Sequence, residues 1–86
     1  MHREHLHGAS GRAREVQRLV LLELVADPPA RGDPLAELAA RLRQPFADVA
    51  EAVETLRGLG LAEREGDVVR ASPAARAFDA LWPVRP

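Results

Sequence analysis

The stretch "PFADVAEAVETLRGLGL", residues 45–61, has the pattern that decides the fold. Pro45 stands at a helix start, where proline is well tolerated, and Gly58 and Gly60 stand where glycines commonly end helices. Four apolar side chains fall within one narrow arc of a helix, namely Phe46, Val49, Val53 and Leu56. The spacing therefore predicts a helix from Pro45 to about Arg57 whose arc packs against a core.

A shorter helix is predicted just before this stretch. Asp33-Pro34 has the form of a capping side chain followed by proline at the first helical position. Apolar residues then follow at helical spacing: Leu35, Leu38, Ala39 and Leu42. We expect this helix to end near Arg43, after which "RQP" makes a tight connection, and Leu38 and Leu42 to be buried against the arc of the next helix.

The residues after the stretch predict a hairpin and a last helix. Two short strands, residues 61–65 and 68–72, flank the two-residue turn Gly66-Asp67. Ser72-Pro73 repeats the cap-plus-proline start signal. The helix that it opens contains Phe78, Leu81 and Trp82, which we expect to cover one side of the first helix.

The first helix is predicted from Ala13 to about Asp27, where the prolines of "DPPARGDP" end it. Its apolar residues point all around the axis, so it needs cover on more than one side. Because Leu21, Leu22 and Val25 would otherwise be exposed, we expect a homodimer or another partner. Residues 1–12 have no hydrophobic period and read as a flexible arm; residues 13–83 form the domain, and residues 84–86 a tail.

The fold class is thus mainly α with a small β-hairpin, in the order helix, helix, turn, helix, wing, helix. Three segments resemble the DNA-binding half of MarR-type bacterial regulators: "LAELAARL", "VAEAVETLRGLGLAER" and "SPAARAF". The resemblance covers residues 35–78 and implies a winged helix-turn-helix. It further implies a small DNA-binding transcriptional regulator, with residues 45–57 as the recognition helix.

Composition sets limits on this interpretation. The chain has 86 residues, a net charge of −1, no Cys and no Lys, so one domain without disulfides is expected. The longest apolar run, "LVLLELVA", is too short to cross a bilayer, and we expect a cytoplasmic protein. There is no overall positive charge that would mark a nucleic-acid-binding protein.

If the chain contacts double-stranded DNA, its arginines and a few polar residues must do so. The candidates lie in the arm, around the recognition helix and on the wing: Arg12, Arg14, Arg41, Arg43, Gln44, Thr55, Arg64 and Arg70. Arginine forks onto guanine or phosphate. We therefore name these eight residues as the DNA-binding set.

One feature of the recognition helix opposes DNA binding. Its exposed side has Asp48, Glu51 and Glu54. DNA-reading members of the resembled family tend to have Ser, Thr and Arg at the positions of Ala47, Asp48, Ala50 and Glu51. Residues 33–56 contain two arginines and five acids. The alternative is therefore a protein- or peptide-recognition module that uses this acidic helix and does not bind DNA directly.

No catalytic, cofactor or metal site is predicted. The hydroxyl residues and histidines cannot form a nucleophile–base set on the folded part, because all three histidines lie in the arm. His2, His5 and His7 lack the fixed geometry of a closed metal site. Ser72 is explained by its capping position, and we expect a protein that is not an enzyme.

Overall fold

The computed structural model describes residues 2–27 and 31–81, with side chains from residue 11 onward. Its elements are α1 (His2–Ala26), β1 (Asp33–Pro34), α2 (Leu35–Leu42), α3 (Phe46–Gly58), β2 (Ala62–Glu65), β3 (Val68–Ala71) and α4 (Pro73–Leu81). The three strands form an antiparallel sheet in the order β1-β3-β2. In the described ranges the chain is mainly helical, with a small sheet, as the sequence indicated.

The core lies between α1, α2, α3 and β3. Its largest fully buried side chains include Val20, Leu24, Leu38, Val49, Val53 and Val69. The arc predicted for α3 is confirmed at three of its four positions, since Val49, Val53 and Leu56 are buried. Leu42 of α2 is partly buried and packs against the same cluster.

Phe46 departs from the prediction, because its side chain is 54% exposed. It is the first residue of α3. The helical spacing is correct, but the core does not extend to the first residue of the helix. Burial at this position depends on which neighbouring element extends that far, and periodicity alone contains no such information.

Asp33-Pro34 is a strand and not the cap that the sequence predicted. Asp33 pairs with Val69 and Pro34 with Val68, which adds β1 to the predicted hairpin. Helix α2 starts one residue later, and its N-cap position, Pro34, makes no side-chain capping bond. The carboxylate of Asp33, only 2% exposed, accepts hydrogen bonds from Arg41 instead.

The hairpin and the start of α4 follow the sequence prediction. Strands β2 and β3 pair around Gly66-Asp67, and Gly66 has a φ of 61°, a conformation that favours glycine in two-residue turns. The N–H of Ala75 donates to Oγ of Ser72 at 3.1 Å, so the predicted cap is confirmed. The same hydroxyl donates to the carbonyl of Gly60 at 2.7 Å.

Helix α1 is longer than predicted. It begins at His2, so residues 2–12, expected to be an irregular arm, are helical. Val16, Val20 and Leu24 face the core, whereas Leu21, Leu22 and Val25 are only partly buried. The helix is therefore covered mainly on one side.

Helix α4 covers α1 less than expected. Phe78 is 61% exposed and Leu81 is 74% exposed, so these two residues are not part of the core. Trp82 and the tail, residues 84–86, lie outside the described residues. No helix in the described ranges is long and apolar enough to cross a membrane.

Candidate interaction surfaces

Arg41, expected to contact DNA, lies in a cluster of carboxylates that joins α1, β1 and α2. Its Nε donates to Glu23 at 2.8 Å, and its two Nη atoms donate to Asp33 at 3.1 and 3.3 Å. Asp27 lies 3.9 Å from the same guanidinium. Three carboxyl groups thus surround one cation, and the guanidinium of Arg41 is already engaged within the fold.

The charges in this cluster shift one another's pKa values. The pKa of Asp27 is raised to about 6, mainly by hydrogen bonding to Asp33 and further by burial. Burial opposes ionisation of Asp33, but its hydrogen bonds with Asp27 and Arg41 together hold the pKa of Asp33 below its ordinary value. The hydrogen bond to Asp33 also raises the pKa of Arg41.

The acidic side of α3 is largely paired with arginine. Arg12 of α1 donates to Asp48 at 3.0 Å. Glu54 accepts from Arg57 at 2.7 Å and from Arg64 of β2 at 3.0 Å. In the described part of the chain, Glu51 alone of the three predicted acids has no such ion pair. The acidic surface predicted for protein or peptide recognition is therefore reduced mainly to Glu51.

The remaining DNA candidates are spread over four elements and the one connection between α2 and α3. Arg14 is exposed on α1, Arg43 and Gln44 form the turn after α2, and Thr55 is exposed on α3. Arg43 has a left-handed backbone with a φ of 57° and caps α2 through its N–H. Arg70 of β3 lies 4.0 Å from Glu65. Arg12 and Arg64, which complete the set, are engaged by Asp48 and Glu54.

Two polar grooves flank α3. The first, about 280 Å³, lies between α1 and α3 and is lined by Arg12, Ala13, Val16, Gln17, Asp48, Glu51, Ala52 and Thr55. The second, about 520 Å³, lies between α3 and β2 and is lined by Glu54, Arg57, Gly58, Ala62, Glu63 and Arg64. In both grooves, charges of opposite sign are paired across the opening.

The third concavity is apolar. It has a volume of about 360 Å³ and is lined by Leu21, Leu22, Val25, Leu61, Ala75, Phe78 and Asp79. We call it the apolar hollow. Sequence reasoning identified its α1 residues as a partner surface, but it did not find Leu61 and Ala75, because these come from distant parts of the chain.

The described side chains include no group of three or more His, Cys, Asp or Glu suited to holding a metal ion. His2, His5 and His7 fall in the part of α1 whose side chains are not described. The clusters around Arg41 and Glu54 are organised by arginine, and their geometry supports ion pairing between elements.

Neither a protein-family model nor a curated protein matches the sequence. Among solved structures, the chain is similar in fold to one described as "PigF with SAH", with a TM-score of 0.59 and 23% identity. The match covers 86% of this chain and 24% of that chain. This chain thus spans about a quarter of the length of the structure that it resembles.

This similarity corrects the predicted function. The description of the structure that the chain resembles names SAH and not DNA. The prediction of a DNA-binding transcriptional regulator is therefore wrong. The ion pairs agree with the correction, because Arg12, Arg41 and Arg64 are held by acidic side chains of the chain itself.

Proposed function

We propose that this chain is a non-catalytic association domain of a methyltransferase-type protein, and that it pairs with a second copy through the apolar hollow. SAH is the product that remains when S-adenosylmethionine gives up its methyl group. The similarity to part of a chain described with SAH supports the proposal that this domain is joined to a methyltransferase unit. The apolar hollow is the observation on which the proposed association depends.

A separate unit would supply the catalytic site. Adenosine-containing cofactors commonly bind at a glycine-rich turn between a strand and a helix of a parallel sheet. The described strands are all antiparallel, and β1 has only two residues. The two grooves beside α3 are open and crossed by ion pairs, which favours a role for this chain in holding proteins together.

We further infer that this domain has a winged helix-turn-helix fold. The order α2, short turn, α3, hairpin, α4 supports this fold. The resemblance of residues 35–78 to MarR-type domains supports it as well. In such a domain α3 would be the recognition helix. Because Asp48 and Glu54 are bound to arginines, we assign association to the apolar hollow and not to α3.

A second copy is the occupant that suits the hollow best. Phe78 of α4, which is 61% exposed, lines the hollow together with Leu21, Leu22 and Val25 of α1. A two-fold dimer brings the same surface of each copy together, so the apolar side chains of one hollow would face those of the other. Burial of exposed apolar side chains of this kind supplies much of the energy of association.

Sedimentation analysis over micromolar to submillimolar concentrations tests this association. We expect a dimer for the parent, a monomer for Phe78→Asp, and a dimer for the matched control Phe46→Asp, whose ring is similarly exposed on α3. A monomeric parent over the whole range, or equal effects of the two variants, would contradict the proposed interface.

The catalytic part of the proposal needs its own measurement. We expect titration calorimetry with SAH to show no binding to this chain alone, because the described residues form no adenosyl site of the parallel-sheet kind. Saturable binding of SAH to the isolated chain would show that the chain contains a cofactor site, and the non-catalytic assignment would then be withdrawn.

A further inference from the structure

The carboxylate cluster around Arg41 has a feature that ion pairing alone does not explain. Oδ2 of Asp27 is buried and has no hydrogen-bond partner among the residues that the structure describes. Its distance to Nη2 of Arg41, 3.9 Å, is too long for a hydrogen bond. An ionised carboxylate in such a position is costly, because burial removes water and no donor replaces it.

Charged groups from several elements surround Asp27. Asp27 follows the last residue of α1, where the negative end of the helix dipole disfavours another negative charge. Glu23 of α1 and Asp33 of β1 are both acidic and face the same guanidinium. From α4, Arg76 donates to the main-chain carbonyl of Asp27 at 2.8 Å. Arg31 acts on Asp33 through its charge.

We propose that Asp27 is a proton-dependent stabiliser of the junction between α1, β1 and α2. In mildly acidic solution its carboxyl group takes a proton from solvent and donates a hydrogen bond to the carboxylate of Asp33. Asp33 stays ionised, because Arg41 donates to both of its oxygens. One proton therefore removes the repulsion between the carboxylates of Asp27 and Asp33, and it lets Asp27 make a hydrogen bond that its ionised form cannot make.

The direction of the effect follows from the two shifts. The pKa of Asp27 is about 6 in the folded chain and has an ordinary value of 3.8. The stabilisation that Asp27 gives to the fold is fully present below pH 3.8 and is lost as the pH rises through about 6. The lowered pKa of Asp33 has the opposite effect, and its contribution is lost in stronger acid. Stability should therefore be highest on the acidic side of neutrality.

The substitution Asp27→Asn tests this proposal, because the amide permanently imitates the uncharged acid. We expect the variant to unfold at a higher urea concentration than the parent at pH 7.5 and at nearly the same concentration at pH 4.5. The shift from 3.8 to about 6 corresponds to a change of about a hundredfold in the folding equilibrium constant. Asp48→Asn, which removes an exposed ion pair with Arg12, is the matched control and should show no gain at pH 7.5.

A direct titration keeps the proposal testable if the variant is disturbed in another way. Carboxyl-carbon NMR of the parent should give a midpoint for Asp27 near the value of about 6. A midpoint at or below the ordinary value of 3.8 would overturn the proposal. An equal gain in stability for Asp27→Asn at both pH values would overturn it as well, because the effect would then not depend on the proton.

Discussion

The hydroxyl of Ser72 connects two parts of the fold, and its removal gives the sharpest prediction about stability. Its oxygen accepts from the N–H of Ala75 in α4, and its O–H donates to the carbonyl of Gly60 after α3. The residue is only 5% exposed, so water does not readily replace either partner. Ser72→Ala removes both hydrogen bonds without changing the backbone.

The expected loss follows from these two hydrogen bonds. Removing an N-cap hydroxyl costs about 1 kcal/mol, and losing a hydrogen bond to a shielded carbonyl costs about another 1 kcal/mol. The total, roughly 2 kcal/mol, is a large share of the roughly 4–13 kcal/mol expected for a domain of this length. It corresponds to a fall in Tm of about 8–16 °C.

Urea unfolding followed by circular dichroism measures this loss, with Thr55→Val as the matched control. Thr55 is exposed on α3, so removal of its hydroxyl should change the free energy of unfolding by less than about 0.5 kcal/mol. Ser72→Thr keeps the hydroxyl and should recover most of the loss. If the free energy of unfolding of Ser72→Ala lies within about 0.5 kcal/mol of the parent value, the cap and the hydrogen bond to Gly60 do not stabilise the fold.

Three further substitutions test separate parts of the fold by the same unfolding assay. Val53→Asp should cost on the order of 3 kcal/mol or more, because it buries an unpaired carboxylate in the core; a parent-like melt would show that the register of α3 is wrong. Gly32→Ala should lower the free energy of unfolding by about 1–3 kcal/mol, since the added Cβ would overlap Cγ1 of Val68 and lie 3.3 Å from Nη2 of Arg70. An unchanged urea midpoint would show that β3 moves aside without a loss of stability. Arg43→Gly should instead stabilise by up to about 1 kcal/mol, because its φ of 57° suits glycine, and a loss would show that the arginine side chain contributes more than the strain costs.

Much of the fold could be predicted from local signals. The helical spacing of Val49, Val53 and Leu56 placed α3 correctly, and Ser72-Pro73 gave the start of α4. These signals are local because a helix and its cap depend on residues three or four positions apart. Strand β1 was missed because it depends on Val68 and Val69, more than thirty positions further along the chain.

The candidate sites could be predicted only in part, for the same reason. Arginine is the correct residue type for DNA, but the sequence does not show that Arg12 meets Asp48 or that Arg41 meets Asp33. The α1 part of the apolar hollow was visible in the sequence, whereas Leu61 and Ala75 join it only through tertiary packing. Charges and apolar residues can be read from a sequence, but their partners cannot.

The bonds from Arg76 to the end of α1 have a consequence for the order of folding. Its guanidinium donates to the carbonyls of Asp27 and Leu24, which are 49 and 52 positions away. Closing a loop of that length costs roughly 2 kcal/mol more chain entropy than closing a hairpin turn of about four residues. We therefore expect the hairpin to form early and the last turn of α1 to be secured late. In pulsed hydrogen exchange during refolding, the amides of β3 should then become protected before those of residues 24–27.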